Sequence, residues 1–328
     1  MKYTCLHIRL LDSEITLYAH IDVLEGIKNF FFTTLNITCA NRPCDGSWII
    51  FALKGKNSQD IIVDYDNKLI RYYYRAQYGF LDVLSIIKEI FTKLLLSEGM
   101  IWLHGSAFAI KGKTVIVVAP KGYGKTTWLL SALRGTDALF IANDQFPISL
   151  INNIPTISKW KPDIKISQKT LDLLNIETDF RICSRERYLA LPNNVSYDFR
   201  GHYEITRQKI YPIELNIRYE LVHRSFSIDY VVFLSFGSEA IVYLSEDQVH
   251  AQLSELFETD SECLNPKKLR EWDTRVSYWR TRITELIADD NAIKKSEDII
   301  AQISKKCRCI QCNSRLPVSK IQKIVCEI

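Results

Sequence analysis

The chain has 328 residues, enough for one large domain or two ordinary ones, and its 47% hydrophobic and 24% charged residues are typical of a folded protein. With 42 basic and 38 acidic residues the net charge is +4, too weak a bias to indicate a nucleic acid or an anionic membrane as partner. No uncharged apolar stretch is long enough for a transmembrane helix, and the first residues lack the pattern of a secretion signal. The 9 cysteines are odd in number and scattered, so we expect reduced thiols and a cytoplasmic protein.

Residues 1–98 are predicted to form a β-rich unit that ends in a helix. Strands are expected over 48–53, 60–65 and 69–74, and the last two flank a turn-rich Asp-Asn-Lys connection of hairpin length. From Leu81 the apolar residues recur at steps of three and four, which is typical of an amphipathic helix, and Gly99 ends it.

Residues 99–328 are predicted to form a second, α/β domain. Its first elements are strands over 101–110 and 114–118, a helix over 126–134 and a strand over 138–142. The two strands are joined by a tight turn in which Gly112 takes a positive φ, and Gly135 is a candidate C-cap of the helix. The last strand is expected to end at Asn143 and Asp144.

The rest of the second domain is predicted to be irregular first and helical later. Loops, short strands and a short helix near 170–174 are expected in residues 145–225. A buried strand over 230–234 precedes helices over 245–257, 266–288 and 290–304, the first with Ser245 as its N-cap. In the tail, residues 294–328, basic residues outnumber acidic ones. This composition indicates a solvated surface, with a docking site for an acidic partner as the alternative.

A phosphate-binding loop is the motif that carries chemistry. Residues 119–126 read Ala-Pro-Lys-Gly-Tyr-Gly-Lys-Thr, with Ala in place of the usual first Gly, between an apolar strand and a helix. Gly122 and Gly124 allow backbone N–H groups to approach phosphate oxygens. Lys125 places a positive charge between the β- and γ-phosphates, and the Thr126 hydroxyl is a Mg²⁺ ligand. ATP or GTP with Mg²⁺ is therefore the expected ligand, held by Tyr123 and Thr127 of the same segment as well.

Two further side chains are candidates for catalysis. Phosphoryl transfer needs a carboxylate that holds the metal or takes a proton, and Asp144 is expected at the strand end nearest the loop. Its alternative role is to cap the next turn. His104 lies in an apolar strand, where a hydrogen-bonded core histidine is the commoner role.

Together these residues resemble the HPr kinase/phosphorylase family, and more narrowly the HPr-kinase-like proteins of bacterial biosynthetic gene clusters. The resemblance rests on Leu-His-Gly-Ser-Ala at 103–107, the Lys-Gly-Lys hairpin, the loop and the Asn-Asp pair. It implies a P-loop fold related to phosphoenolpyruvate carboxykinase and an oligomeric protein. It also implies that Lys125 grips the phosphates, Thr126 and Asp144 hold Mg²⁺, Asp144 is the base for the acceptor hydroxyl, and His104 belongs to the active site.

The sequence departs from this family at two points. Asn143 stands where HPr kinases carry the first Asp of an Asp-Asp pair, and their downstream signature for the HPr substrate is absent. HPr is therefore not the expected acceptor. The expected function is Mg²⁺- and NTP-dependent phosphoryl transfer to a Ser or Thr of a peptide or small protein, or to a small-molecule alcohol. The alternatives are an NTP-hydrolysing switch and a non-catalytic nucleotide-binding scaffold.

Weaker candidates remain open. Cys307, Cys309 and Cys312, with Cys326 more distant, form an irregular metal-ligand pattern or are ordinary thiols. Aromatic clusters at 72–74 and 278–279 are stacking platforms or packing residues. The arginines that are candidates for contacting transferred phosphate are Arg185, Arg187, Arg218, Arg224, Arg275, Arg280 and Arg282.

Overall fold

The computed structural model shows a mixed α/β protein with two mixed β-sheets and a few helices. It describes residues 3–10, 13–24, 27, 36–40, 46–55, 60–74, 79–120, 122–158, 164–167, 170, 173–175, 207–210, 225–237, 241–260, 290–315, 320 and 323. These residues divide into two compact units, with the first ending at Leu95 and the second beginning at Leu96. Within the described ranges, no helix combines the length and apolar character needed to cross a membrane.

The first unit is built on a six-stranded sheet in the order β3-β1-β2-β4-β6-β5. Its strands are β1 (Tyr3–Leu10), β2 (Ser13–His20), β3 (Asn36–Ala40), β4 (Trp48–Lys54), β5 (Asp60–Asp64) and β6 (Leu69–Tyr74). The predicted hairpin is confirmed, since β5 pairs antiparallel with β6. Alternate residues of β2 and β4 are buried, as expected for strands with one face on a core.

Helix α1 (Gly79–Ser97) follows this sheet and confirms the predicted amphipathic helix. Val83, Ile86, Ile87 and Ile90 are buried along one stripe at steps of three and four. Gly99 follows the helix with φ 77°, a left-handed conformation that glycine adopts without strain and that ends the helical path.

The second unit contains an eight-stranded sheet in the order β13-β10-β9-β7-β8-β14-β16-β15. Its strands are β7 (Ile101–Ile110), β8 (Lys113–Val118), β9 (Leu139–Ile151), β10 (Ile154–Ile157), β13 (Phe226–Ser227), β14 (Tyr230–Ser235), β15 (Val242–Tyr243) and β16 (Arg308–Asn313). Two further strands, β11 (Ile164–Ser167) and β12 (Arg207–Ile210), pair separately. Strands β8, β14 and β16 are mutually parallel, and β7 lies antiparallel between β8 and β9.

Helix α2 (Lys125–Gly135) packs on one face of this sheet. Trp128, Leu129 and Leu133 share an apolar cluster with alternate residues of β8, Val115 and Val117. Strand β8 is buried on both faces after its first residue, which is usual for a parallel strand at the centre of a sheet. The strand, loop and helix predicted around residues 114–134 are therefore confirmed.

Helices α3 (Glu246–Asp260) and α4 (Asp290–Lys306) confirm two of the later predictions. The Ser245 hydroxyl accepts a hydrogen bond from Gln248 N, and the Gln248 side chain accepts one from Ser245 N, so the predicted N-cap is part of a capping box. The helix predicted over 266–288 and most of residues 159–224 lie outside the described part of the chain.

Two boundary predictions are wrong. Gly135 is the last residue of α2, with Thr136 as the C-cap in an extended conformation, so Gly135 does not provide a left-handed cap. Strand β9 does not end at Asn143 and Asp144 but continues to Ile151. Asp144 pairs with Gly105 even though its φ is 75°, and the ladder with β7 therefore continues past the two polar residues.

Candidate functional site

Two glycines with positive φ shape the described part of the loop between β8 and α2. Gly122 and Gly124 take φ 90° and 87°, and Tyr123 N donates to Pro120 O at 3.4 Å. A Cβ on Gly122 would meet nothing within 4 Å, so this glycine is required by its conformation and not by crowding. Gly124 is the N-cap, and the first helical bond runs from Trp128 N to Gly124 O at 2.8 Å. N–H groups at a helix start lack intrahelical acceptors, which makes this end suited to an anion.

The Lys125 side chain folds back against the loop. Its exposed fraction is 8%, and its Nζ donates to Ala119 O at 2.6 Å and Pro120 O at 3.3 Å. These carbonyl dipoles stabilise an ammonium group that burial would otherwise penalise. Lys125 therefore brings a positive charge inside the loop that the glycines form.

Asn143 links the helix start to the sheet. Its Oδ1 accepts hydrogen bonds from Ser106 Oγ at 2.9 Å and from Thr126 Oγ1 at 3.3 Å. The Asn143 side chain is 3% exposed, and its Nδ2 is buried without a hydrogen-bond partner in the described structure. Because Thr126 donates its hydroxyl proton to Asn143, the lone pairs of the Thr126 oxygen remain available to a cation.

His104 and Asp144 form the second half of the site. The distance from His104 Nε2 to Asp144 Oδ1 is 3.6 Å, and both side chains are partly exposed. Gly105 pairs with Val118 on one side and with Asp144 on the other, so these three residues lie in one row across the sheet. Asp144 is thus level with the last residue of β8, two strands away from the point where the loop between β8 and α2 begins.

Gly105 allows the backbone of β7 to lie close to that of β8 at Val117. A Cβ built there would lie 2.8 Å from Val117 O and 3.4 Å from two ring atoms of Phe146. The first distance is shorter than real Cβ contacts and involves backbone, which cannot move aside as a side chain can. The spacing of β7, β8 and β9 at the site therefore depends on the absence of a side chain at this position.

The structure brings His104 close to Asp144 and Thr126 close to Asn143, but the strand arrangement that does so differs from the predicted one. Asp144 does not follow a parallel strand; it lies within β9, which is separated from β8 by the antiparallel β7. Thr126 contacts Asn143, the neighbour of Asp144, while Thr127 lies in the first turn of α2. Ser106 was not singled out by the sequence, although a serine inside an apolar strand two residues after His104 is a visible signal.

The cysteine pattern has a different character. Cys307, Cys309 and Cys312 are buried at and within β16, and burial raises the pKa of Cys309 and of Cys312 to about 12. Cys307 Sγ donates to Ile228 O at 3.3 Å, and burial likewise raises its pKa. No group of three His, Cys, Asp or Glu residues able to hold a metal ion is found in the part of the chain that the structure describes. Cys326 lies outside that part.

The remaining candidates are only partly within the described structure. Tyr72 and Tyr74 are buried in the first sheet, with ring centroids 6.4 Å apart, so they are packing residues of β6. Residues 278–279 and all seven candidate arginines lie outside the described residues.

No protein-family model matches the chain, and no curated protein matches it.

Proposed function

We propose that the protein is a Mg²⁺- and NTP-dependent kinase that transfers the γ-phosphoryl group to a hydroxyl. The acceptor is a Ser or Thr of a peptide or small protein, or a small-molecule alcohol. The second unit would then be a P-loop domain of the kind that HPr kinases and phosphoenolpyruvate carboxykinases share. The observation that supports the proposal is the row formed by Val118, Gly105 and Asp144, in which Asp144, the contact of His104, is level with the residue that precedes the glycine loop.

Phosphate binding is supported by the loop and by Lys125. An ammonium group has three N–H donors, so Lys125 can keep a loop carbonyl as acceptor and still donate to a phosphate oxygen. The helix start adds backbone N–H groups and the positive end of the α2 dipole. Catalysis of phosphoryl transfer depends mainly on positioning and on neutralising charge, which are the contributions that these groups make.

The oxygen ligands at this site fit Mg²⁺. The Thr126 hydroxyl donates to Asn143 and so presents its lone pairs. Asp144, the residue after Asn143, supplies a carboxylate. Hydroxyl and carboxylate oxygens are the hard ligands that Mg²⁺ prefers, together with phosphate oxygens and water. When bound, the ion would neutralise charge on the phosphates.

The His104–Asp144 pair is suited to handling the proton of the acceptor hydroxyl. The carboxylate of Asp144 is partly exposed, so an incoming hydroxyl can reach it. His104 Nε2 lies 3.6 Å from Asp144 Oδ1 and so contacts the same carboxylate. Asp144 adopts a left-handed φ of 75°, which Asp tolerates better than most residues and which is common at functional sites.

Asn143 distinguishes this site from one with two acids. A neutral amide accepts the same two hydrogen bonds from Ser106 and Thr126 without adding a buried negative charge. One carboxylate in place of two leaves the site less negative, which reduces electrostatic repulsion of the NTP phosphates. Phosphorolysis of a phosphoprotein, which the resembling family supports, is not part of the proposed activity.

The test is transfer of label from ATP and GTP that carry ³²P at the γ-phosphate. The protein and its Asp144→Asn variant are each incubated with Mg²⁺ and a lysate of the source organism as acceptor pool. A labelled species that forms with the wild type and disappears with the variant is expected, and mass spectrometry then identifies the acceptor. Released phosphate without a labelled product would replace the proposal with a hydrolytic switch. Nucleotide binding without either product would indicate a scaffold.

A further inference from the structure

Beside the phosphate-binding loop lies an aromatic pair that phosphate binding does not use. Strand β14 runs parallel to β8, with Phe233 paired to Val118, so the residues after Phe233 emerge at the same sheet edge as the loop. Phe236 follows the end of β14, and its ring centroid lies 4.2 Å from that of Tyr123, at an interplanar angle of 30°. Tyr123 is itself the loop residue between Gly122 and Gly124.

The ring of Phe236 is exposed, although the backbone on both sides of it is hydrogen-bonded to the neighbouring strand. Its exposed fraction is 61%, whereas the strand residues before it are mostly buried. Tyr123 packs against the apolar cluster beneath α2, together with Leu174 and Ile241, and so provides a fixed surface for one side of the Phe236 ring. The arrangement leaves the rest of the ring open to solvent at the edge of the site.

The backbone that carries Phe236 is held by the neighbouring strand. Asn313 Nδ2 donates to Gly237 O at 2.6 Å, and Ser314 N donates to Ser235 O at 3.0 Å, so both flanking residues are bonded to the end of β16. A ring that is already positioned loses little conformational entropy when a ligand packs on it. These bonds therefore make an exposed ring a prepared contact surface.

We propose that the exposed face of Phe236 stacks against the purine base of the nucleotide whose phosphates the loop binds. This proposal depends on the proposed function and extends it to a base subsite. A nucleotide is the occupant that fits, since Tyr123 belongs to both the loop and the aromatic pair and so makes the two surfaces continuous. A neutral, flat π-face attracts any nucleobase by stacking, and the contact does not depend on a charge on either partner.

The experiment compares ligands with and without a base. Dissociation constants for ATP and for tripolyphosphate, both with Mg²⁺, are measured by calorimetry on the wild type, Phe236→Ala and Phe236→Trp. Because Phe236 is exposed, its replacement does not disturb the core. The matched control is Tyr243→Ala, which removes a 60% exposed aromatic side chain from the edge strand β15, which β16 separates from β14.

Phe236→Ala is expected to weaken ATP binding by roughly five- to a hundredfold, the range for loss of one stacked base, and to leave tripolyphosphate binding unchanged. Phe236→Trp and Tyr243→Ala are expected to bind ATP as the wild type does. Equal ATP affinity for the wild type and Phe236→Ala would overturn the base subsite alone. So would an effect of Phe236→Ala on the KM of the acceptor only, which would assign the ring to the acceptor. A wild type that binds neither ligand would overturn the nucleotide site itself.

Discussion

Replacing Gly105 by Ala tests whether the close packing of three strands positions the site. The new Cβ would lie 2.8 Å from Val117 O, a backbone atom of the β7–β8 ladder. Overpacking of this kind costs about 1–3 kcal/mol, while the loss of glycine's freedom in the unfolded chain returns about 0.5–1 kcal/mol. Taking the middle of each range, we expect a net loss of about 1 kcal/mol in the free energy of unfolding.

The assay is urea unfolding followed by tryptophan fluorescence, with Gly135→Ala as the matched control. At Gly135 a Cβ would meet nothing within 4 Å, and the residue is helical, so this change should stabilise the protein by about 0.5–1 kcal/mol. Opposite shifts of the two midpoints are the expected result. If Gly105→Ala proved as stable as the wild type while Gly135→Ala behaved as expected, the argument from strand spacing would be refuted.

Three further predictions concern other parts of the second unit. Ser245→Ala removes the capping box of α3 and should lower the free energy of unfolding by about 0.5–2 kcal/mol; an unchanged urea midpoint would contradict this. Asn143→Ala leaves the buried Ser106 hydroxyl and the half-buried Thr126 hydroxyl without their acceptor and should cost about 1–3 kcal/mol; wild-type stability of this variant would refute the argument from these two hydrogen bonds. Burial raises the pKa of Cys309 and Cys312 from 9.0 to about 12, so the unfolded chain releases these protons first and stability should fall as pH rises above 9.0. Flat stability between pH 9.0 and 12 would contradict that pKa shift.

Local patterns predicted much of the second unit because each of its elements carries its own signal. The turn between β7 and β8 is an example, since Lys111 and Gly112 take φ 49° and 79° as a tight hairpin requires. The N-cap at Ser245 and the loop at residues 119–126 could be predicted for the same reason, because each is formed by residues that are close together in sequence.

Features that depend on distant residues were not predictable. The continuation of β9 through Asp144 results from pairing with Gly105, and the burial of Asn143 results from hydrogen bonds to Ser106 and Thr126. Polar residues after an apolar run indicate a strand end unless such partners exist, and the sequence does not reveal these partners. The approach of Phe236 to Tyr123 is likewise set by the register of β14 on β8.

The most direct test of the account is the dissociation constant for Mg²⁺-ATP of the wild type and of Lys125→Ala. Lys125 is the buried cation of the loop, and loss of a charge-assisted hydrogen bond should weaken binding by roughly ten- to a hundredfold. The matched control is Lys294→Ala, which removes an exposed lysine from α4 and should leave binding unchanged. Saturable wild-type binding that is weakened to this extent by Lys125→Ala alone is the predicted result. Equal affinity of all three proteins for Mg²⁺-ATP, or no binding by the wild type, would contradict the assignment of the loop as a nucleotide site.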